Sequence, residues 1–556
     1  MFDLTEKLEK AISSAVAELY NEAVEPEITI SENFEFGDLT TNIAFKLASV
    51  VRKSPGEIAT EVADRIDLPD GVECAEPTDS GYVNFRYSAD FLRNLLAGII
   101  AKPMDFGRSD IGKKTKIQIE YVSANPTGPL NVVSARAAAV GSSLVNILRY
   151  AGYDTNSEYY LNDAGNQIAM LGDSFIARIR QGAGLDWEIP PEDGYFGDYI
   201  ADLAAVYSDK FPQKYKILVE TWEKGEIPDT EHPRKWIIGE LIQQIKDDLE
   251  YINAGFDRFF SEAEFRKTGK IEKVLETLRE NNTILRREDA VWFSADKYDV
   301  REEPFVLVKS DGEYTYAMVD IAYHQDKFDR GFELVYDIWG PDHHGHIGRM
   351  KAAMKALGHE GKFDILTLQQ VNLLEAGKKI KMSKRTGNIV TLREIVDDVG
   401  VDVARFFFIA RRMEAHLDFD LDLARKESDE NPVYYIQYAH ARISNILEFA
   451  KNKGIDPKSA DRKELEALTE PEELLLARKL AIWPHILRKS AEEMSPHYIC
   501  FYLLELARLF HPFYSKYRVV GDDKKVTMAR VALCRALKEA LALGLGLLGI
   551  SAPENM

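Results

Sequence analysis

The chain has 556 residues, a formal net charge of −21, and 45% apolar against 29% charged residues. That balance belongs to an ordinary globular protein, excludes low-complexity and collagen-like classes, and at this length predicts three or four domains. The negative charge argues against capture of nucleic acid by a general basic field, and three scattered cysteines (Cys74, Cys500, Cys534) argue against a disulfide framework or a zinc site.

In chain order, MFDLTEKLEKAISSAVAELY reads as an amphipathic helix without the apolar stretch of a secretory signal. To about residue 110, helix-like and strand-like patterns alternate: SENFEFGDLTTNIAFKLASVVRKSP reads as a turn entering a helix, and GYVNF as a short strand. KTKIQIEYVS is a strand signal, with β-branched and polar residues alternating. A Pro/Gly turn and a small-residue helix, ARAAAVGSSLVNILRYAG, follow it, and TNSEYYLND is a second strand. Strand, glycine-bearing turn and helix predict the opening of an α/β nucleotide-binding fold.

From about 166 to 290 the pattern is helical and acidic, broken at EIPPEDG and EIPDTEHP, which predicts helical insertions in that core. EPFVLVKSDGEYTYAMVD and FELVYDIWGPD read as strands. Beyond about 430 the pattern is helical and predicts a bundle. Near the end, ALALGLGLLGI is too short to span a bilayer. Its GLGLLG (Gly544 to Gly549) has the spacing of a dinucleotide fingerprint but lacks a preceding strand, and is read as helix packing. A cytoplasmic protein with no membrane partner is expected.

The fold class expected is therefore α/β: a Rossmann-like parallel-sheet domain over 111–390, a connecting segment over 391–430, an N-terminal α/β domain over 1–110 and a helical bundle over 431–556. Arg405, Arg411 and Arg412 form a short basic cluster, read first as a solvated helix face, with nucleic-acid contact as the alternative.

Two segments carry the chemistry. Lys381-Met382-Ser383-Lys384-Arg385 sets three cations and a hydroxyl on a glycine-bounded loop, suited to clamp a triphosphate whose leaving pyrophosphate gains charge. SANPTGPLNVVSARAAAVG, Ser123 to Gly141, reads as a nucleotide-binding turn. With FGDLTTNIAF, YLNDAGNQI, GYFGDYI, FDRFFSE, DGEYTYAMVDIAYHQDKF, IWGPDHHGHIGRMKAA, DVARFFF, ENPVYYIQYAHARI and LLGISAPENM, in that order, the chain resembles the class I aminoacyl-tRNA synthetases, in particular the arginyl-tRNA synthetase family.

The resemblance implies ATP as substrate with Mg²⁺, L-arginine, an arginyl-adenylate intermediate, transfer to the 3′ end of tRNA(Arg), and a monomer. An arginine site needs carboxylates aimed at a planar guanidinium. By resemblance Tyr316, Asp320 and Glu262 grip the side chain, while Ser123 and Asn125 hold the α-amino and carboxylate groups, with Glu120 behind them on its strand. Asn162, Asp163, His343 and His344 wall the pocket, and no third ligand at fitting spacing makes the histidine pair a metal site. Pro126, Gly128, Asn131, Val133, Ser134, Lys381, Met382, Ser383 and Lys384 face ATP, and Asn131, Ser134, Lys381 and Lys384 stabilise the transferring phosphate.

The family's His-x-Gly-His tetrad is here Asn131-Val132-Val133-Ser134. Asn131 and Ser134 retain hydrogen-bond donors, whereas Val133 sets two methyl groups where the adenine would approach. An active arginine–tRNA ligase is the expectation. The alternatives are a weak or inactive paralogue that only binds tRNA or arginine, and an enzyme that loads arginine onto another acceptor. The terminal bundle resembles an anticodon-binding domain, with Tyr434, Tyr435, Tyr438 and Arg442 as base-stacking or phosphate groups; tyrosines at helical spacing are otherwise core. The N-terminal domain resembles one that reads the tRNA elbow.

Overall fold

The computed structural model describes residues 4–31, 33–186, 194–195, 197–294, 303–380, 390–456 and 462–556, with the backbone alone at His344. Two compact units result. One comprises Met1–Lys113, Tyr150–Gly152 and Lys426–Met556, the other Lys114–Arg149 and Tyr153–Arg425.

The second unit is built on five parallel strands: β1 (Lys116–Glu120), β2 (Asp154–Leu161), β3 (Arg258–Ser261), β4 (Leu334–Trp339) and β5 (Phe363–Thr367), in the order β5–β4–β1–β2–β3. The order reverses beside β1, so the crevice beyond the carboxyl ends of β1 and β4 is where such a sheet takes its ligand. Register sets Asp337 of β4, Glu120 of β1 and Glu158 of β2 abreast on three adjacent strands, with Arg258 of β3 next in the row. All three acids are buried.

Helix α1 (Val132–Tyr150) follows β1 and packs on the sheet through a run of Ala, Gly and Ser that lets the backbones approach closely. Gly141 lies under the Tyr121 ring, and a Cβ there would come within 2.3 Å of it. Helix α2 (Tyr316–Asp329) starts at the Thr315 N-cap, whose hydroxyl accepts from Met318 N. It buries Met318, Val319, Ile321 and Ala322 in a core shared with Phe293, Phe305, Val335 and Phe363.

Three expectations need correction. The 166–290 stretch is not wholly an insertion: its Arg-Phe-Phe-Ser supplies the edge strand β3, too short for a periodicity signal between two long helical patterns. The segment Tyr-Ala-Met-Val-Asp is helix, not strand, because the Thr315 cap redirects a composition that otherwise favours extended backbone. Arg405 is neither solvated nor free for phosphate. It is fully buried and donates to Ile252 O, Asn253 O and the Ser142 and Ser143 hydroxyls at 2.7–3.1 Å, whereas Arg411 and Arg412 are exposed.

In the first unit, Ile28–Ile30, Leu39–Thr41, Val83–Tyr87 and Val72–Pro77 form an antiparallel sheet in that order. The helical C-terminal segment belongs to the same unit, where buried Trp483 donates to Phe106 O at 3.2 Å. Helices α3 (Pro432–Asn452) and α4 (Lys524–Leu547) pack together. Gly544 of the GLGLLG segment lies inside α4 against Leu503, where a Cβ would come within 2.6 Å, so the segment is indeed helix packing. No described helix is long and apolar enough to cross a membrane.

A matched pair of substitutions separates packing from propensity. Helix propensity alone favours alanine over glycine by about 1 kcal/mol. Gly239→Ala, in open space on the helix Glu231–Tyr251, is expected to stabilise by about 0.5–1 kcal/mol. Gly141→Ala is expected to destabilise by about 1–3 kcal/mol through the Tyr121 clash. Urea unfolding of both variants checks the signs.

Candidate active site

The turn after β1 is strained: Val122 and Ser123 hold φ of 67° and 38°, left-handed values that a β-branched residue rarely takes. Three contacts maintain it. Ser123 Oγ donates to Glu120 Oε1 at 2.8 Å and accepts from Tyr160 N at 3.1 Å, and Tyr159 OH donates to Ala124 O at 2.8 Å. Asn125 donates to Gln167 and accepts from Asn162, so Asn162 orients Asn125. Asp163 accepts from Ser261 Oγ and Ala263 N and thereby fixes the turn that carries Glu262. Pro126 is buried, and Gly128 lies beneath the Tyr199 ring, whose hydroxyl donates to Thr127 O.

Asn131 is the N-cap of α1. Its Oδ1 accepts from Val133 N at 2.9 Å and Ser134 N at 3.0 Å, leaving its Nδ2 for another acceptor. Val133 and Ser134 are half-buried on the first turn. Lys381, Met382, Ser383 and Lys384 lie outside the described residues, but the chain on either side of them is anchored. Ile380 N donates to Leu373 O, and beyond the loop Leu392 N donates to Leu130 O at 2.7 Å while Val132 N donates to Val390 O at 3.2 Å. The loop's exit is thus paired to the entrance of α1. Arg136, one turn into α1 and fully buried, donates to Gln369 O, Arg412 O and Ala415 O, which ties α1 to the paired strands Val371–Glu375 and Leu417–Asp420.

Beside this turn the buried carboxylates of the sheet row converge. Asp337, Glu120 and Glu158 face α2, which answers with Tyr323, His324, Lys327 and, just past its end, Arg330. Lys327 Nζ lies 2.6 Å from Glu120 and 2.8 Å from Asp337. Tyr323 OH lies within hydrogen-bond distance of both Glu120 Oε2 (2.8 Å) and Glu158 Oε1 (2.7 Å), with one proton to give between them. Arg330 takes Glu158 in a two-pronged pair at 2.6 and 2.8 Å. His324 bridges Asp320 O and Asp337 Oδ2 at 2.7 and 2.5 Å.

Burial works to lower the Lys327 ammonium, but Asp337, Glu120 and Glu158 outweigh it and hold it above its ordinary value. Burial likewise opposes ionisation of Asp337, yet Lys327 and His324 hold it down at about 2. Glu120, His324 and Asp337 have ligand atoms close enough for a metal ion, but the Lys327 ammonium already bridges the two carboxylates, so the trio does not fit one.

Glu262 is buried and paired with Arg266 at 2.6 Å. Asp320, one turn earlier on α2 than His324, is the exception. Its carboxyl has no hydrogen bond or ion pair among the described residues, and burial pushes it up to about 7, with His324 opposing and Glu120, Glu262 and Asp337 reinforcing. Tyr160 lies among Glu262, Asp320 and Glu120, and its hydroxyl is raised first by burial and then by those acids. Tyr316, 58% exposed at the start of α2, stands at the mouth near Gly165. His343 is exposed and tilts against Trp339 in a short turn after β4.

Glu120, Ser123, Asn125, Glu262 and Asp320 are thus grouped at the sheet's crevice, and Asn131 and Ser134 at the end of α1. Sequence reasoning missed Tyr160, Tyr323, His324 and Lys327. Asp320, Tyr323, His324 and Lys327 recur at i, i+3, i+4 and i+7, a polar stripe on one helix face that was legible before folding.

On α3, Tyr438 is exposed, and the Arg442 guanidinium lies 4.4 Å over its ring and 4.9 Å over that of Tyr514. These residues, with Phe449, Lys516 and Arg518, line a cavity of about 930 Å³. Tyr435 packs on His511 instead, and Tyr434 is half-buried.

A reversing parallel sheet and a capped helix after its first strand, whose entrance pairs with the residues that follow the basic sequence, define the nucleotide-binding domain of a class I aminoacyl-tRNA synthetase. Residues 97–413 match the family described as tRNA synthetases class I (R), catalytic domain; residues 4–87 match the arginyl tRNA synthetase N terminal domain, and 436–556 the DALR anticodon binding domain. The chain belongs to the arginyl-tRNA synthetase family. It is 42% identical to an arginine–tRNA ligase of Carboxydothermus hydrogenoformans, covering 94% of this chain and 92% of the relative. It is 40% identical to that of Thermotoga maritima, with 100% of both chains covered. The Thermus thermophilus arginyl-tRNA synthetase structure, 23% identical, has the same fold over 100% of both chains with a TM-score of 0.79.

Lys327→Met would leave Glu120 and Asp337 sharing a buried site without their ammonium. A loss of about 3–5 kcal/mol in the unfolding free energy is expected in urea titration, the usual cost of removing one partner of a buried ion pair.

Proposed function

We propose that this chain is an ATP-dependent arginine–tRNA ligase whose arginine pocket is built on Asp320. The observation that carries the reading is charge balance. Lys327, Arg330 and Arg258 pair with the three acids of the sheet row, Arg266 pairs with Glu262, and the Asp320 carboxyl alone in this group has no protein partner among the described residues. A guanidinium supplies the missing cation and two parallel donors. Tyr316 closes over it at the pocket mouth, and Glu262 and Tyr160 complete its polar wall. Ser123 and Asn125, with Glu120 behind, hold the amino-acid end, and His343 lies beyond β4. Neutral amino acids leave Asp320 unpaired, so discrimination needs no second site.

The arginine carboxylate then attacks the α-phosphorus of ATP in line; the bond to the bridging oxygen breaks and pyrophosphate leaves. A tRNA 3′-terminal hydroxyl next attacks the arginyl carbonyl and AMP departs, with no protein nucleophile in either step. Lys381 and Lys384 neutralise the departing pyrophosphate, with Met382 and Ser383 completing the loop. The Asn131 amide Nδ2, the Ser134 hydroxyl and the positive end of α1 meet phosphate, while Pro126, Gly128 and Val133 border the nucleotide. Since Asn131 Oδ1 already caps α1, the substituted tetrad combines helix capping with phosphate contact. Mg²⁺, where bound with ATP, would supply charge neutralisation on the phosphates beside Asn131 and Ser134. Tyr438 and Arg442 supply a stacking platform for unpaired bases of tRNA, with Tyr434 and Tyr435 supporting α3. The chain acts as a monomer in the cytoplasm, with residues 1–110, 111–390, 391–430 and 431–556 as its working segments. The full-length likeness to arginine–tRNA ligases supports catalysis over a binding-only paralogue.

Purified protein with tRNA, arginine and ATP is expected to form arginyl-tRNA; no charging above a no-enzyme control would sink the proposal. Lys384→Ala should lower tRNA-dependent pyrophosphate exchange by about 100-fold and leave arginine affinity unchanged, because its charge is needed only as pyrophosphate departs.

Arginine binding should also depend on pH. Free Asp320, raised to about 7, must lose its proton before it can pair with a guanidinium, which then lowers it. Affinity should therefore be flat above neutrality and fall by about tenfold per pH unit below it, as read by calorimetric titration of arginine.

A further inference from the structure

Tyr199, near the end of the GYFGDYI segment, stands in the first turn of the helix Asp198–Lys210, and its hydroxyl donates to Thr127 O in the turn after β1. Its ring fits between two glycines. A Cβ would come within 3.3 Å of it at Gly128 and within 2.5 Å at Gly197. Behind, the ring packs on the core that Leu171, Phe175, Ile200 and Leu241 build among the helices following β2. The Thr127–Gly128 peptide is trans, so its C=O and N–H point opposite ways. Holding Thr127 O against Tyr199 therefore turns the Gly128 N–H to the far side, where it has no partner among the described residues. We propose that Tyr199 is a positioning residue for ATP, whose hydroxyl locks this peptide with the Gly128 N–H presented to the nucleotide.

The peptide needs such a lock. Gly128 lies outside the left-handed region here, yet glycine enters that region at little cost, so the Thr127–Gly128 peptide can flip and carry its N–H to the wrong side. A flip would break the bond from Tyr199 and leave a half-buried carbonyl without its donor. The flanking anchors act elsewhere. Tyr159 holds Ala124 O, Asn162 and Gln167 hold the Asn125 amide, and Leu392 N holds Leu130 O. The end of the turn assigned to arginine is thus fixed without Tyr199. The peptide assigned to the nucleotide lies between those anchors, where the Tyr199 hydroxyl reaches it. The helices after β2 thereby bear on ATP through one phenol.

The inference rests on the reading of this turn as nucleotide-binding, and the experiment separates the two. KM and kcat of tRNA-dependent pyrophosphate exchange are measured for the full chain, with ATP and then arginine varied and rates normalised to active-site concentration. The proteins are the wild type, Tyr199→Phe, Gly128→Ala, their double variant and Asn131→Ala. Tyr199→Phe keeps the ring and its packing and removes one hydrogen bond. Its KM for ATP should rise about three- to tenfold, while kcat and KM for arginine stay within about twofold of the wild type. A merely structural role lowers the amount of active protein and leaves KM for ATP alone. A rise of less than about threefold for ATP, or an equal rise for arginine, overturns the proposal. Gly128→Ala crowds the same ring, so in the double variant the effects on KM for ATP should be less than multiplicative; fully multiplicative effects would place the action of Tyr199 elsewhere and also overturn it. If Asn131→Ala keeps wild-type constants for ATP, the nucleotide reading of the turn itself fails, whatever Tyr199→Phe shows.

Discussion

Lys327 lies without solvent contact between Glu120 and Asp337, on a helix laid across the two strands that carry them. Parallel pairing in register forces these acids, and Glu158 beside them, into one row. In a medium of low dielectric such a row is untenable unless cations are delivered to it at hydrogen-bond distance. Helix α2 delivers them at the spacing of its own turns, so compensating the row also sets the helix's rotation and its position along the strands. Two turns before Lys327, that same constraint sets Asp320 facing the crevice with no cation of its own among the described residues. On the proposed reading, the guanidinium that pairs with Asp320 completes the fold's internal charge balance.

The nucleotide side depends on a different set of contacts. Helix α1 is thin on the side facing the sheet, being mostly alanine, glycine and serine, and two buried arginines compensate for its lack of bulk. Arg136 reaches out from it to the strands on either side of the basic loop, and Arg405 reaches in to it from Val401–Ile409. Both direct their donors at backbone and hydroxyl oxygens, so neither is available to phosphate. On the proposed reading ATP meets the open end of α1, where Asn131 caps two backbone N–H groups and its own amide has no partner among the described residues.

Much of this was legible in the chain. Alternation in KTKIQIEYVS marked the central strand, the small-residue run marked the helix packed on it, and the helical pattern before GLGLLG marked that segment as helix packing. Where the reading went astray, a local signal was overruled from a distance. Arg-Phe-Phe-Ser became strand because β2 offered it an open edge, and Tyr-Ala-Met-Val-Asp became helix because the Thr315 cap made that start favourable. Arg405 looked like a surface cation beside Arg411 and Arg412, and only the carbonyls of Ile252 and Asn253, some 150 residues away in sequence, drew it inside.

The amino-acid order by itself determined most element types, the basic loop, the asparagine that caps α1 and the polar stripe of Asp320, Tyr323, His324 and Lys327, because each depends on spacing over a few residues. It could not say which acids would be occupied. Glu120, Glu262 and Asp320 are equal candidates along the chain, and they differ only after folding brings Lys327 to the first, Arg266 to the second and, among the described residues, no cation to the third. Pairing is a property of distance through space at low dielectric, and the lysine that decides Glu120 stands more than 200 positions along the chain.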